Sequence, residues 1–287
     1  MRPIFCLFLL IILLANPLSA QKIIVGVSIP PQKYFVKKIG KNFVHVIVLL
    51  PPGANPVIYE PKPQQIKMLS KAKLFFSIGV PFERPWLKRL KKEFPHLKII
   101  PMYRSIKRRP MKKNYLFLRR KVINKNPDPH IWLSPPLVRV IAIDVLNSLI
   151  QIEPEKEEFF YKNYIDFVKE IWEVDLHILA LFKDVKKRAF LVFHPCWGYF
   201  ASAYNLKQIP LEIGGKSPTI KDMSFFIDFA KKNGLKTIFV QPQFSSRFAN
   251  MLAKAIGGRI EFIDPLAESW KENLIKSANL IRESLIK

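Results

Sequence analysis

Three widely separated groups in this chain carry donors that suit a divalent transition metal. His130 lies in Asp128-Pro129-His130-Ile131-Trp132-Leu133-Ser134-Pro135, a proline-stiffened turn just ahead of an apolar run. His194 lies in Phe193-His194-Pro195, and Asp264 in Ile263-Asp264-Pro265-Leu266. Two neutral imidazoles and one carboxylate form a good ligand set for such a metal. With the three groups so far apart in sequence, only the fold can assemble them. That is how a reversible site between two lobes is built, unlike a local zinc knuckle. Coordination by neutral imidazoles also predicts binding that weakens as they protonate, below about pH 6.

The elements that must position these groups alternate between strand and helix. Strands are predicted over 22–29, 43–50, 73–78 and 97–101, with helices over 32–39, 63–71 and 86–93 between them. Later strands at 190–193, 208–213, 237–241 and 259–263 alternate with helices at 197–204, 220–232, 246–256 and 270–286. Such alternation argues for α/β lobes with mainly parallel sheets. A helix over 135–152 starts on Pro135, where the missing N–H costs nothing. From Glu155 to about Lys186 there is neither Gly nor Pro, and Phe159, Phe160, Tyr164, Phe167, Ile171, Trp172, Leu176 and Leu179 recur at helical spacing. One helix of that length spans nearly 50 Å at about 1.5 Å per residue. It reads as a strut between lobes, with two helices and a hidden break as the alternative. The resulting division is a first lobe over 21–154, a linking helix over 155–187 and a second lobe over 188–287. Open α/β sheets bind ligands beyond the carboxyl ends of their strands. His194 and Asp264 fall at such ends and His130 just before a first-lobe helix, so an interlobe cleft would collect all three.

Residues 1–20 read as a secretory signal, with Arg2 ahead of the apolar stretch 4–15 and Leu18-Ser19-Ala20 before the cut. Cys6 lies inside the apolar stretch, which does not mark it for lipid attachment. No later segment reads as a membrane span, so the mature chain is expected to be exported and soluble. Cys196 is then its only cysteine, which excludes a disulfide framework. The formal net charge is +25, and removing the signal takes away only Arg2. Basic residues are dispersed except for one dense block from Lys107 to Lys125, without clear periodicity, that reads as a loop. The charge is read as a solvated surface that can adhere to anionic membrane. Nucleic acid is not expected as a partner of an exported chain.

Several stretches together resemble the metal-binding receptors of zinc and manganese ABC importers, the cluster 9 or TroA-like substrate-binding proteins. They are Leu50-Pro51-Pro52-Gly53-Ala54-Asn55-Pro56, Tyr59-Glu60-Pro61-Lys62-Pro63, the Asp128–Pro135 motif, Phe193-His194-Pro195 with Trp197-Gly198-Tyr199-Phe200, Gly215-Lys216-Ser217-Pro218, Gln241-Pro242-Gln243-Phe244 and Asp264-Pro265-Leu266. Each is weak alone, while their order and spacing are specific. The resemblance implies two α/β lobes joined by a rigid long helix, one metal site between them and limited closure. It also implies a periplasmic, monomeric receptor that carries zinc or manganese to a membrane permease, with no organic cofactor and no catalysis. By matching position, His130, His194 and Asp264 carry over as ligands.

The family usually places a further His after Asn55-Pro56, where this chain has Val57 and then Ile58. Valine cannot ligate, so water or another residue must complete a tetrahedral zinc. Glu60, Cys196 and Glu212 are candidates, each with a structural reading that weighs more: a conserved-type acid, a small buried apolar group and a strand-end acid. The His- and acid-rich loop of zinc importers is replaced by the basic 107–125 block, whose charge repels cations. His45, His96 and His177 read as ordinary strand, loop and helix residues. Two other functions stay open at this point. One is a receptor of the same fold that has lost metals and recognises an anion or another partner. The other is a metalloenzyme using two His and one carboxylate.

Overall fold

The computed structural model describes residues 22–111, 113–115, 120–122, 126–212 and 218–286. The expected signal segment, the Gly215-Lys216-Ser217 stretch and part of the basic block lie outside them. The first lobe runs β1 (Ile23–Val27), α1 (Pro30–Gly40), β2 (Val44–Val48), α2 (Pro63–Met68), β3 (Leu74–Ser77), α3 (Glu83–Glu93) and β4 (Lys98–Pro101). Its sheet is parallel throughout, ordered β2-β1-β3-β4. The second lobe runs β7 (Ala189–Val192), α6 (Gly198–Ala203), β8 (Lys207–Pro210), α7 (Ile220–Lys232), β9 (Thr237–Val240), α8 (Arg247–Ala255) and β10 (Arg259–Phe262). Its parallel order is β8-β7-β9-β10, the same winding as the first lobe. The lobes thus repeat one topology although no internal repeat is legible in the sequence.

Between the lobes lie α4 (Pro135–Ile152) and α5 (Glu157–Phe182), and α9 (Trp270–Ile286) closes the chain. The linking segment is one uninterrupted helix of 26 residues, about 39 Å long. Its buried face is Phe160, Phe167, Ile171, Val174, Ile178 and Phe182, whereas Trp172, Leu176 and Leu179 point outward. Among the described residues only α4 has the length and apolarity of a membrane span, and half of it is buried in the protein interior.

Side-chain alternation along the strands separates two apolar clusters. Phe190 and Val192 of β7 and Phe239 of β9 join a large cluster that also holds Phe35, Trp132, Phe167, Ile263 and Trp270 from all parts of the chain. Their neighbours Leu191, Phe193, Ile238 and Val240 face the other way, into a smaller cluster with Phe226 and Leu252. The period of two along each strand therefore places one face toward α9 and one toward α7 and α8.

The basic block is not a plain loop. β5 (Lys113–Tyr115) and β6 (Arg120–Val122) pair antiparallel, and Pro110 bridges Pro127 below them. Hairpin formation here was not legible because the segment lacks the polar–apolar alternation that marks a half-buried strand.

One acid in the first lobe is buried with little compensation. Glu83, 2 % exposed, accepts hydrogen bonds from the N–H groups of Ile78 (2.8 Å) and Gly79 (2.7 Å). Burial outweighs these bonds and the nearby Arg108, and raises its pKa to about 7. Between pH 4.5 and 7 the folded state then holds a proton that the unfolded state has released, so stability falls as pH rises through that window. The expected fall is about 3 kcal/mol at most, at about 1.4 kcal/mol per pH unit. Denaturant titrations from pH 4.5 to 8 should show this slope in the wild type and its loss in Glu83→Gln; equal slopes would refute it.

Candidate metal site between the lobes

His194 follows the end of β7, at the point where the strand order of the second sheet reverses. Its N–H donates to Gln241 Oε1 (3.0 Å), and its ring stacks on Phe244 with centroids 4.6 Å apart and 17° between planes. Nδ1 lies 2.6 Å from Glu212 Oε2, a buried acid just past β8. Desolvation lowers the pKa of His194 below the ordinary imidazole value despite the opposing effect of Glu212. The neutral, metal-binding form thus persists to lower pH than in an exposed histidine.

His130 arrives from the other lobe. Asp128, two residues earlier, holds it twice through Oδ1, which accepts from His130 N–H (3.0 Å) and lies 2.7 Å from Nδ1. The imidazoles of His130 and His194 face each other edge to face, centroids 5.5 Å apart. Each ring therefore has Nδ1 committed to a buried carboxylate and Nε2 left as the donor that a cation would meet. A carboxylate on the far nitrogen fixes the ring's orientation and raises its basicity.

Asp264 follows β10. Gln243 Nε2 donates to its Oδ1 (2.7 Å), as does Leu266 N–H (2.9 Å), and Asn273 Nδ2 donates to its carbonyl (2.6 Å). Two indoles tie this turn to the His130 segment: Trp132 Nε1 donates to Pro265 O and Trp270 Nε1 to Trp132 O, both at 2.7 Å. The structure thus pairs His130 with His194 and fastens the Asp264 turn to the same segment. Among the described residues, no three His, Cys, Asp or Glu side chains are gathered closely enough to hold an ion as they stand.

The other candidates fall elsewhere. Glu212 supports His194 through Nδ1. Cys196 is buried, with its thiol pKa pushed well up by desolvation, which disfavours the thiolate that binds metals. Glu60 is exposed, as are His45, His96 and His177. Val57 is 47 % exposed on a turn in which its N–H donates to Asn55 Oδ1 (2.9 Å). Asn55 Nδ2 reaches across to the carbonyl of Gln243 (3.5 Å), the residue that holds Asp264. The missing-ligand position therefore sits at the rim of this site. The supporting roles of Asp128 and Glu212 escaped the sequence reading. Asp128 had a local signal, an acid two residues before the ligand. Glu212 depends on β7 and β8 being neighbours, which sequence does not specify.

Two like-wound lobes on one long helix, with carboxylate-held imidazoles facing each other between them, define a two-lobed binding protein. The family model for ZnuA, the periplasmic component A of the zinc-uptake complex, matches residues 25–283. A crystal structure of ZnuA superposes with a TM-score of 0.84 and 37 % identity, covering 92 % of this chain and 99 % of that one. A ZnuA deletion mutant with zinc bound gives 0.85 and 37 %, covering 92 % and 98 %. The high-affinity zinc uptake system protein ZnuA of Bacillus subtilis strain 168 is 25 % identical over 272 residues, 92 % of this chain and 84 % of that protein. The chain belongs to the ZnuA family. This is a family of extracytoplasmic solute-binding receptors rather than of enzymes, and a metal-free receptor for anions is not favoured.

Proposed function

We propose that this chain is the extracytoplasmic receptor of an ABC importer, which holds one zinc ion between its lobes and passes it to a membrane permease. The observation that carries this reading is the pair of facing imidazoles, 5.5 Å apart, each held at Nδ1 by a buried carboxylate. His130 Nε2, His194 Nε2 and the outer oxygen of Asp264 are the donors, and water takes the fourth tetrahedral position. A modest approach of the Asp264 turn completes the set. Zinc is favoured over manganese because imidazole suits zinc, whereas manganese is better served by carboxylate, carbonyl and water oxygens. The zinc-bound ZnuA relative supports the same choice.

The test is metal content after stripping with a chelator and reloading. One zinc per chain is expected; no uptake of zinc or manganese overturns the reading. The carboxylate behind His194 provides a finer check. Glu212→Gln is expected to weaken zinc binding by about 10- to 100-fold, as loss of such partners does, read by competition with a chromophoric chelator. An unchanged affinity would remove Glu212 from the site.

Residues 1–20 act as a cleavable signal in this reading, and the mature monomer works in the periplasm. Lobes over 21–154 and 188–287 flank the linking helix within 155–187. The dispersed positive charge favours contact with the anionic membrane that houses the permease.

A further inference from the structure

Arg109 and Asp128 are the two feet of the basic hairpin. Asp128 N–H donates to Arg109 O (2.8 Å) and Met111 N–H to Asn126 O (3.0 Å), with Pro110 opposite Pro127 between them. Tyr199, a side chain of the other lobe, enters this base. Arg109 N–H donates to Tyr199 Oη (2.9 Å), and Tyr199 Oη–H donates to the carbonyl of Asp128 (3.2 Å). The Arg109 guanidinium also lies over the tyrosine ring, with Cζ 4.3 Å from its centroid. The hydroxyl thus links both feet of the hairpin, and Asp128 is the residue that holds His130.

Gly198 makes room for the same assembly. A Cβ there would come within 3.0 Å of Gln208 Nε2, 3.2 Å of Asp128 Oδ2 and 3.3 Å of Arg109 Nη2. The second oxygen of the Asp128 carboxylate therefore faces a cation and an amide across the space left by the absent side chain. Tyr199 belongs to α6, into which the chain runs directly from His194. Its hydroxyl consequently joins the main chain behind one imidazole to the carboxylate residue behind the other.

We propose that Tyr199 and Arg109 are positioning residues for metal binding: Tyr199 from across the cleft, through the Asp128 main chain, and Arg109 from the neighbouring foot of the hairpin hold in place the residue whose carboxylate aims His130. They touch neither the ion nor its ligands and act through Asp128. The proposal rests on the reading of His130 and His194 as metal ligands. It also gives the basic segment a role that its charge alone does not: its feet are part of the frame of the site.

The experiment uses the mature chain and zinc chloride, with affinity read by chelator competition and the apo-protein melting temperature measured alongside. Tyr199→Phe keeps the ring and removes both hydroxyl bonds, and Arg109→Ala removes the cation. Each is expected to weaken zinc binding about tenfold, the low end for groups that orient a metal ligand. In an Asp128→Asn background, Tyr199→Phe should then cost less than about threefold, because residues acting through one group are not additive. A merely structural tyrosine would lower the melting temperature and leave the coupling at zero. Unchanged affinity in both single variants, or a full tenfold loss persisting in the Asp128→Asn background, overturns the proposal. Arg109→Ala carries the same test should Tyr199→Phe fail to fold. A wild-type protein that takes up no zinc would instead overturn the proposed function itself.

Discussion

His194→Ala is expected to weaken zinc binding by more than about a hundredfold, since it leaves two protein ligands where catalytic-type zinc sites use three. Chelator competition measures this directly, and residual affinity within tenfold of wild type would show that the ion is held elsewhere. The substitution also acts on the apo-protein. It removes the ring stacked 4.6 Å from Phe244 and the Nδ1 partner 2.6 Å from Glu212. A buried acid that loses such a hydrogen bond costs about 1–3 kcal/mol. The double variant His194→Ala/Glu212→Ala should therefore recover part of the apo stability while remaining unable to bind zinc, which separates damage to the site from damage to the fold.

The opposite effect is expected from Val57→His. The position is half exposed, so a larger polar side chain meets little steric resistance. Its turn is held by Asn55, which also reaches the carbonyl of Gln243 on the opposite side of the cleft. An imidazole at 57 would replace water as fourth donor and complete an all-protein tetrahedron. Zinc affinity should rise by about ten- to a hundredfold, the range of one well-placed additional interaction of about 1.4–2.8 kcal/mol. The gain should vanish if Asn55→Ala frees the turn. An affinity equal to that of wild type would mean that this rim does not approach the ion, and that the valine is not the cause of any weakness in the site.

Much of this was legible from local chemistry. The long linking helix follows from an absence, since no Gly or Pro interrupts Glu157–Phe182 and one face repeats at helical spacing. The parallel sheets follow from alternation, and His194 and Asp264 lie just past β7 and β10 because ligands gather at strand ends. What stayed hidden depends on pairing at a distance. Glu212 was visible as a strand-end acid, yet its service to His194 requires β8 to lie beside β7. Tyr199 was visible only as part of a family motif, and its hold on Arg109 and Asp128 bridges some 70 to 90 residues of sequence. Which face of the linking helix is covered was hidden for a different reason. Trp172, Leu176 and Leu179 have apolar side chains at helical spacing, and nothing in spacing alone distinguishes a covered face from a wet one.

The large apolar cluster has a consequence for how this molecule can be taken apart. Phe190, Val192, Phe239 and Trp270, all downstream of the linking helix, belong to one continuous body with Phe35 and Trp132 upstream of it and Phe167 on the helix itself. Severing the gene within the linker therefore yields two fragments that each display a broad greasy scar, and neither is expected to stay monodisperse. Calorimetry of the intact chain should give one transition instead of two. Chimaeras exchanging one half between relatives will succeed only when the matching face of the other half travels with it.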